Sequence, residues 1–318
     1  MINDIKKENL PSCLQTREGW ADLFTLKRTK EPHIHQIEPT NYCPYSCIMC
    51  PRSKYMTRPQ GFMELFLYRK IIDEIAFYPL EIRRKEIELF HFGESLLHPE
   101  IVSMIDYAVK KNLKIVLSVN APELTPSLAE KILSKNPYKI IISLDGYDQL
   151  SYQLIRGNNA DYAKAKQNIH SLLKFKTNDA ACTTLVILRI IRINMNENYC
   201  TDFKKFWENE GAIVEIRDFF PWNKAELTDL GAVKKYPPFM PCPFPWQYLA
   251  VQWNGDVVPC CRDYNAINRL GNVTEKSLKT IWNSPEAELF RKQMATGKQL
   301  KDICRECLEI YYTDSLCT

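Results

Sequence analysis

Three cysteines placed close together are the residues of this sequence best suited to chemistry. Cys43, Cys47 and Cys50 fall within eight residues, with the spacing C-x3-C-x2-C, on a loop that follows an apolar run. Thiolates packed this tightly on irregular backbone typically hold a soft metal centre. A structural zinc ion needs four protein ligands, and the next histidine and cysteine along the chain are the distant His91 and Cys182. Three thiolates on a 4Fe–4S cluster would instead leave one iron open to an external ligand.

A second group of four cysteines lies in the last quarter of the chain. Two alternating runs flank Asn254-Gly255, the strongest short-range signal for a β-hairpin, and the hairpin brings together a cysteine from each of its ends. A helix predicted over residues 278–294 separates this pair from a C-x2-C pair. Four thiolates suit either a fully ligated iron–sulfur cluster or a zinc ribbon. The four cysteines are Cys242, Cys260, Cys304 and Cys307.

Composition places these motifs in a globular protein. Of its 318 residues, 45% are hydrophobic and 25% are charged, and the length predicts one large domain or one domain with a small second one. No apolar run approaches the ~18 residues of a membrane helix. The first thirty residues contain no stretch that resembles a signal peptide, so a cytoplasmic location is expected. In that compartment, twelve cysteines indicate metal ligands or reactive thiols rather than disulfides.

The charge pattern argues against a nucleic-acid partner. The 42 basic and 38 acidic side chains are interspersed along the chain and give a net charge of +4. The densest basic groups, Arg83-Arg84-Lys85 and Lys110-Lys111, are short and are typical of solvated helix ends. A nucleic-acid backbone needs a longer basic stripe. We therefore expect no nucleic-acid binding, and an RNA-modifying activity is disfavoured.

Short β-rich runs alternate with amphipathic stretches after residue 31. Continuous apolar runs such as Ile140-Ile-Ile-Ser-Leu are typical of parallel strands that are covered on both faces. The alternation predicts a parallel α/β fold with right-handed crossovers, either a doubly wound sheet or an open partial barrel. The predicted strands are 33–38, 86–91, 113–119, 138–144, 183–190 and 212–217.

The chain divides into three predicted segments. Residues 1–30 carry few periodic apolar positions and form an N-terminal extension, and residues 31–222 form the α/β unit. Residues 223–318 contain a linker and a small hairpin-and-helix domain that carries the second group of cysteines. This boundary rests on the prolines and aromatic residues that cluster between Phe219 and Trp246.

The C-x3-C-x2-C motif directly after a strand resembles that of the radical S-adenosylmethionine (SAM) enzymes, and the resemblance extends over nearly the whole chain. It implies a six-stranded partial (β/α) barrel with its chemistry at the carboxyl ends of the strands. It also implies that Cys43, Cys47 and Cys50 hold a 4Fe–4S cluster whose open iron binds the amino and carboxylate groups of SAM. In this family an electron from the cluster cleaves SAM, and the resulting 5′-deoxyadenosyl radical removes a hydrogen atom from the substrate.

The second strand is followed by His91-Phe92-Gly93-Glu94-Ser95, which is similar to the family's Gly-Gly-Glu-Pro segment. In the family this segment binds the SAM amino group, and a glycine permits the close approach of the backbone. Gly93 and Glu94 are the matching residues. Phe92 and Ser95 depart from the pattern, and an ordinary strand-ending turn is the alternative.

Further polar residues follow the third and fourth strands. Asn120, Ser143 and Asp145 resemble the family's ribose- and carboxylate-binding positions, although a plain turn also explains Asp145-Gly146. Arg156 is a candidate partner for the SAM carboxylate, because a guanidinium can bind a carboxylate as a fork. Met49 precedes the last cysteine of the triplet, where the family places a side chain against the adenine.

The C-terminal cysteines resemble the SPASM/twitch extension of radical SAM enzymes, which has the frame Cys…Gly-x4-Cys…Cys-x2-Cys. Gly255-Asp-Val-Val-Pro-Cys260 fits the Gly-x4-Cys element residue for residue. The resemblance implies an auxiliary 4Fe–4S cluster bound by the four cysteines of the second group. Because only Cys317 follows the C-x2-C pair, we expect one auxiliary cluster, with Cys317 as a reserve ligand.

Cys261 is the residue that bears most on reaction type. It adjoins a predicted ligand but is not needed as one, and a thiol S–H is weak enough to donate a hydrogen atom to a carbon radical. Radical SAM epimerases use such a thiol to invert a substrate carbon. The alternative is a small buried apolar residue, which a free cysteine often is.

The predicted function is that of a radical SAM enzyme with an auxiliary cluster. It would attack an unactivated C–H bond of a small polar substrate such as an amino sugar or aminocyclitol, leading to epimerisation or dehydrogenation. Arg189 and Arg217, at the ends of the last two strands, face either substrate or solvent. A reductase with flavodoxin or ferredoxin would supply electrons. The alternatives are an enzyme that epimerises or cross-links a peptide and a zinc-binding interaction protein.

Overall fold

A continuous sheet of nine strands organises the residues that the computed structural model describes, which are 10–219, 230, 240–305 and 307. The strands are β1 (His33–Ile37), β2 (Glu86–Glu88), β3 (Lys114–Asn120), β4 (Lys139–Ser143), β5 (Leu185–Arg192), β6 (Ile213–Asp218), β7 (Tyr248–Val251), β8 (Asp256–Val258) and β9 (Gly271–Asn272). The helices are α1 (Arg17–Lys27), α2 (Arg52–Tyr55), α3 (Leu65–Ala76), α4 (Leu80–Arg83), α5 (Ile101–Lys110), α6 (Pro126–Leu133), α7 (Gln149–Arg156), α8 (Tyr162–Asn178), α9 (Cys200–Asn209), α10 (Phe244–Gln247), α11 (Leu278–Trp282), α12 (Pro285–Thr296) and α13 (Asp302–Arg305).

The first six strands are parallel and lie side by side in chain order. Helices from the crossovers cover the sheet, and the three isoleucines of β4, Ile140, Ile141 and Ile142, are almost completely buried. Within these six strands the order never reverses, as it does in a doubly wound sheet. This confirms the predicted α/β fold in its open, partial-barrel form.

The C-terminal region extends this sheet. β7 pairs parallel with β1, so that His33 lies opposite Tyr248 and Ile37 opposite Val251. β8 and β9 then add in antiparallel order. The hairpin predicted at Asn254-Gly255 is confirmed between β7 and β8, and Gly255 has a φ of +86°, which favours glycine. The second group of cysteines is therefore built on the edge of the barrel sheet.

The single helix predicted over residues 278–294 is wrong, because the chain forms α11 and α12 instead. Pro285 has no N–H group with which to continue α11, and it suits the first turn of a new helix. The Ser284 hydroxyl caps α12 by accepting a hydrogen bond from the Ala287 amide at 3.2 Å. Buried Arg291 of α12 donates to the Pro245 carbonyl at 2.8 Å, which ties the helix to α10.

The N-terminal extension contributes α1, which packs on α12. Phe24 is buried, and its ring lies 5.7 Å from that of Trp246. The Arg17 guanidinium donates to the Met294 carbonyl at 2.6 Å. No helix in the described ranges is long and apolar enough to cross a membrane. The predicted boundary between residues 222 and 223, and Cys317, lie outside the described residues.

Candidate active site

Most of the predicted site residues converge on one cleft inside the open barrel. Its volume is about 1290 Å³. Glu94 and Asp145 lie just behind its wall, almost fully buried, and contact residues that line it. The predicted residues that line the cleft are Cys43, Cys47, Met49, Cys50, Gly93, Asn120, Ser143, Arg156 and Cys261.

The cysteine loop, residues 43–50, is held against the end of α7. The Ser46 amide donates to the Arg156 carbonyl at 3.1 Å, and a second bond of this kind, two residues further along the loop, measures 2.9 Å. Burial raises the pKa of Cys43 to about 12 and that of Cys50 to about 11. These thiols therefore keep their protons at neutral pH until a metal replaces them.

A buried polar network lies beside Cys47. The Arg156 Nη1 atom is 3.7 Å from the Cys47 sulfur and donates to the Asn120 Oδ1 atom at 2.7 Å. The other terminal nitrogen of the guanidinium pairs with Asp145. Asn120 donates from its backbone and side-chain amides to the Glu94 carboxylate, at 2.8 and 2.6 Å. Burial raises the pKa of Glu94 to about 7, so the network places a guanidinium and a titratable carboxyl beside the cysteine loop.

Gly93 is required by packing against the chain that leads into the cysteine loop. A Cβ atom at this position would lie 2.0 Å from the Thr40 carbonyl oxygen, which is too close for any side chain. The amide of neighbouring Glu94 donates to the Tyr42 carbonyl at 2.8 Å. Phe92, which departs from the family pattern, is buried. The segment after β2 is therefore fixed to the loop by its backbone, whatever side chain stands at position 92.

The second group of cysteines lines a separate, small cavity. The backbone amide of Arg262 donates to the Cys260 sulfur at 3.3 Å, and the Asn268 amide donates to the Cys304 sulfur at 3.5 Å. In the described ranges, no three His, Cys, Asp or Glu side chains lie close enough to hold a single metal ion. The thiols instead surround a shared space, which suits a cluster bound at its corners. The cavity is lined by Cys242, Cys260, Cys304 and Cys307, by the apolar residues Pro245, Phe290, Met294 and Ile303, and by the polar residues Arg262, Asp263 and Asn268.

The adjacent residues Cys260 and Cys261 face different spaces. Cys260 lines the small cavity, whereas Cys261 lines the large cleft. The Tyr248 hydroxyl lies 3.6 Å from the Cys261 sulfur. The His91 Nε2 atom donates to the Cys261 carbonyl at 2.6 Å, which fixes this backbone against the segment after β2. One peptide unit thus separates the thiol groups of the two sites.

A buried carboxylate that the sequence patterns did not predict, that of Glu38, joins these sites. Glu38 receives two hydrogen bonds from Arg58, at 2.7 and 2.5 Å, and one each from the amides of Phe92 and Trp253. Burial opposes the ionisation of Glu38, but the Arg58 charge lowers its pKa. Arg58 also donates to the Tyr264 carbonyl at 2.6 Å. The available signal was an acidic residue at the end of an apolar strand, where a charge needs a partner.

Comparison with protein families matches residues 37–197 to the radical SAM superfamily and residues 242–308 to SPASM, an iron–sulfur cluster-binding domain. The first match spans half of the chain. The chain belongs to the radical SAM superfamily. This radical SAM enzyme uses a 4Fe–4S cluster with SAM, and its SPASM domain binds auxiliary iron–sulfur. These matches favour iron–sulfur over the zinc alternatives for both groups of cysteines.

Three proteins are similar to this radical SAM enzyme over most of its length. The SAM-dependent 2-deoxy-scyllo-inosamine dehydrogenase of Niallia circulans is 33% identical in an alignment of 285 positions that covers 86% of this chain and 91% of the relative. The tungsten-containing aldehyde ferredoxin oxidoreductase cofactor-modifying protein of Pyrococcus furiosus is 22% identical in an alignment of 315 positions that covers 85% of this chain and 86% of the relative. Streptococcus suis SuiB, solved with its precursor peptide SuiA, has the same fold, with a TM-score of 0.65, 13% identity and coverage of 85% and 69%.

Proposed function

We propose that this enzyme removes a hydrogen atom from an unactivated C–H bond of an amino sugar or aminocyclitol, which is then epimerised or dehydrogenated. One observation carries the proposal: the Cys261 thiol lines the same cleft as Cys43, Cys47 and Cys50. A substrate in this cleft can meet both the source of a radical and a thiol that returns hydrogen. The 33% identity to a 2-deoxy-scyllo-inosamine dehydrogenase supports the substrate class.

The cysteine loop is our assignment for the SAM-cleaving cluster. When bound, this cluster and SAM supply the 5′-deoxyadenosyl radical. We assign Arg156 to the SAM carboxylate, and its position supports the assignment, because it lines the cleft beside Cys47 and is held by Asn120 and Asp145. We assign SAM contacts to Met49, Gly93, Glu94, Asn120, Ser143, Asp145 and Arg156, with Met49 against the adenine.

The second group of cysteines is our assignment for one auxiliary 4Fe–4S cluster. Four thiols around one cavity provide a full ligand set, so no position is left for substrate. Phe290 and Met294 line the same cavity and give it an apolar wall. This site is therefore suited to electron transfer rather than to binding an exchangeable ligand.

Cys261 is the proposed hydrogen donor for epimerisation. Its S–H bond breaks as a C–H bond forms on the substrate radical, which leaves a thiyl radical. A reductase with flavodoxin or ferredoxin would supply the electron that restores the thiol, with a proton from solvent. A hydrogen bond from Cys260 lowers the pKa of Cys261. A metal-bound Cys260 has no proton to donate, so this cause of the lowered pKa is absent once the cluster is bound.

A peptide-modifying activity is the second candidate. The cleft volume of about 1290 Å³ leaves room for an extended substrate beside SAM. The fold is shared with SuiB, which was solved with a precursor peptide. This activity would use the same cysteines and differ in substrate.

Deuterium transfer separates the two candidates. Reconstituted, reduced enzyme is incubated with SAM and C-deuterated compounds: 2-deoxy-scyllo-inosamine, other aminocyclitols, amino sugars and short peptides. We expect deuterium from an aminocyclitol or amino sugar to appear in 5′-deoxyadenosine. Transfer from a peptide alone would replace the proposal with the second candidate.

The role of Cys261 is tested with unlabelled substrate in D2O. Epimerisation should place solvent deuterium in the product of the wild type, and the Cys261→Ala variant should stop forming this product. Cys182→Ala is the matched control, because Cys182 does not line the cleft. An epimer formed by Cys261→Ala at the wild-type rate would exclude the donor role. A ketone without solvent deuterium would identify the reaction as dehydrogenation.

A further inference from the structure

We propose that Glu88 and Gln36 form a subsite for the ammonium group of the substrate. This inference rests on the proposed function, because it names the feature of an amino sugar or aminocyclitol that the cleft recognises. Both residues line the cleft and lie opposite each other on the neighbouring strands β2 and β1.

The two side chains leave two acceptor atoms without a donor. Gln36 donates to the Glu88 Oε2 atom at 2.5 Å, and the His35 Nε2 atom lies 3.5 Å from the same oxygen. The Glu88 Oε1 atom has no hydrogen-bond partner among the described residues. The Gln36 Oε1 atom is buried, and no described residue donates to it. The Gln36 oxygen is costly to bury without a donor, whereas the Glu88 side chain is 24% exposed and can accept from a ligand in the cleft. The pair of side chains therefore favours a ligand that supplies N–H groups.

Glu88 is set apart from the other charges of the cleft. Asp218 is the other cleft carboxylate in the described residues, and it accepts from Arg192 at 2.7 Å. Within the same described part of the chain, Glu88 has no Lys or Arg in salt-bridge contact. The cationic side chains that line the cleft are Lys27, Lys85, Arg156, Arg189, Arg217 and Arg262. In these surroundings one accessible carboxylate oxygen selects where a cation can bind.

The subsite lies on the same wall as the proposed hydrogen donor. The His35 ring, beside Glu88, is 4.7 Å from the Tyr248 ring, and the Tyr248 hydroxyl is 3.6 Å from the Cys261 sulfur. Burial raises the pKa of Glu88, and an ammonium ion beside the carboxylate would offset that effect. An amine anchored at Glu88 would therefore hold the ring of the substrate close to Cys261.

The test compares the binding of an amine with that of its uncharged derivative. Isothermal titration calorimetry on reconstituted, unreduced enzyme with SAM measures the dissociation constants of 2-deoxy-scyllo-inosamine and its N-acetyl derivative. A hydrogen bond to a charged group contributes roughly 1.5–3 kcal/mol, so Glu88→Gln should weaken amine binding about ten- to a hundredfold. The N-acetyl derivative should be affected much less. Glu88→Asp, which keeps the charge, should retain part of the amine preference, and Asp218→Asn should retain all of it.

The outcomes separate this inference from the proposed function. An amine preference that is unchanged in Glu88→Gln would overturn the subsite, and the proposed function would stand if the deuterium-transfer assay is positive. A wild type that binds neither compound, or that prefers the N-acetyl derivative, would also overturn the subsite, and deuterium transfer would then judge the function. Should Glu88→Gln fail to fold in thermal melting, the comparison of Glu88→Asp with Gln36→Leu decides the question by the same preference.

Discussion

The two cysteine regions present the same thiol groups in different surroundings. The cysteine loop lines a cleft of about 1290 Å³, with the Arg156 guanidinium beside it. The four C-terminal cysteines line a much smaller cavity, together with apolar side chains such as Phe290 and Met294. A large cleft with several charged side chains suits a site that exchanges a ligand in every turnover, whereas a small cavity suits a permanent electron carrier. Surroundings, more than ligand type, distinguish the roles of the two sites.

The two regions are also mechanically joined. The Glu38 carboxylate accepts from Arg58, from the segment after β2 and from the β7–β8 turn. Cys260 and Cys261 are adjacent in sequence, yet they line the cavity and the cleft respectively. Because of these contacts, replacing the cysteines of one region tests whether the other region can still bind its cluster and function.

Removing the cysteine loop ligands has the largest expected effect. In the Cys43→Ala, Cys47→Ala, Cys50→Ala triple variant, iron should fall from about eight to about four per chain, as expected for the loss of one of two cubane clusters. Formation of 5′-deoxyadenosine should stop. Iron and sulfide analysis, Mössbauer spectra and a SAM-cleavage assay measure these changes, with the exposed-thiol variant Cys13→Ala as the control. Persistent SAM cleavage would contradict our assignment of the loop.

Removing two auxiliary ligands should have a narrower effect. The Cys304→Ala, Cys307→Ala variant should also lose about four irons, because two thiolates cannot hold a cubane cluster. Formation of 5′-deoxyadenosine should continue, because the proposed ligands of the SAM-cleaving cluster lie on the cysteine loop. Formation of the product should decline. Our assignment of separate roles to the two sites would be contradicted if this variant kept all its iron, or if it lost SAM cleavage while retaining four irons.

Replacing Arg156 sharpens the account of the open site. Arg156→Gln should raise the dissociation constant of SAM about ten- to a hundredfold, because a charge-assisted hydrogen bond to the SAM carboxylate is lost. It should also destabilise the fold by about 3–5 kcal/mol, because Asp145 is left as an unpaired buried charge. Equilibrium dialysis and chemical unfolding measure the two effects. Arg189→Gln is the matched control, since Arg189 lines the cleft but pairs with Glu215 at 2.7 Å. Equal SAM affinities in wild type and Arg156→Gln would remove Arg156 from the SAM site.

The smallest expected effect comes from His33, which is neither a predicted cluster ligand nor a predicted SAM contact. Burial lowers the pKa of His33 to about 3, and His35 and Lys85 act in the same direction, against the hydrogen bond to the Glu86 carbonyl. The unfolded chain takes up this proton below pH 6.5, whereas the folded chain takes it up only near pH 3. Stability is therefore lost as pH falls through this window, by about 2 kcal/mol between pH 7 and pH 5.

The acid dependence of His33 is measured by denaturant unfolding across that pH range. His33→Gln should flatten the loss of stability, because its amide can donate to the same carbonyl but does not titrate. His170→Gln, which changes an exposed histidine, is the control. Identical slopes for wild type and His33→Gln would show that His33 does not cause the acid sensitivity. Iron content should stay the same in both variants.

The elements that could be predicted from the sequence are those whose signals are local. The parallel strands were visible as apolar runs such as that of β4, and the β7–β8 hairpin was visible at Asn254-Gly255. The helix predicted over 278–294 failed because a proline that begins α12 was taken as part of a longer helix. Period and composition show that a segment is helical more readily than they show where one helix ends and the next begins.

The sequence by itself determined the spacing of both groups of cysteines and the succession of strands along the chain. Both follow from the covalent chain and from its local hydrophobic pattern. Only the tertiary structure decided that Cys261 faces the cleft while Cys260 faces the cavity. It also decided that Glu38 is neutralised by Arg58, and that Gln36 lies opposite Glu88. These relations depend on strand register and on contacts between residues far apart in the chain, which no local pattern encodes.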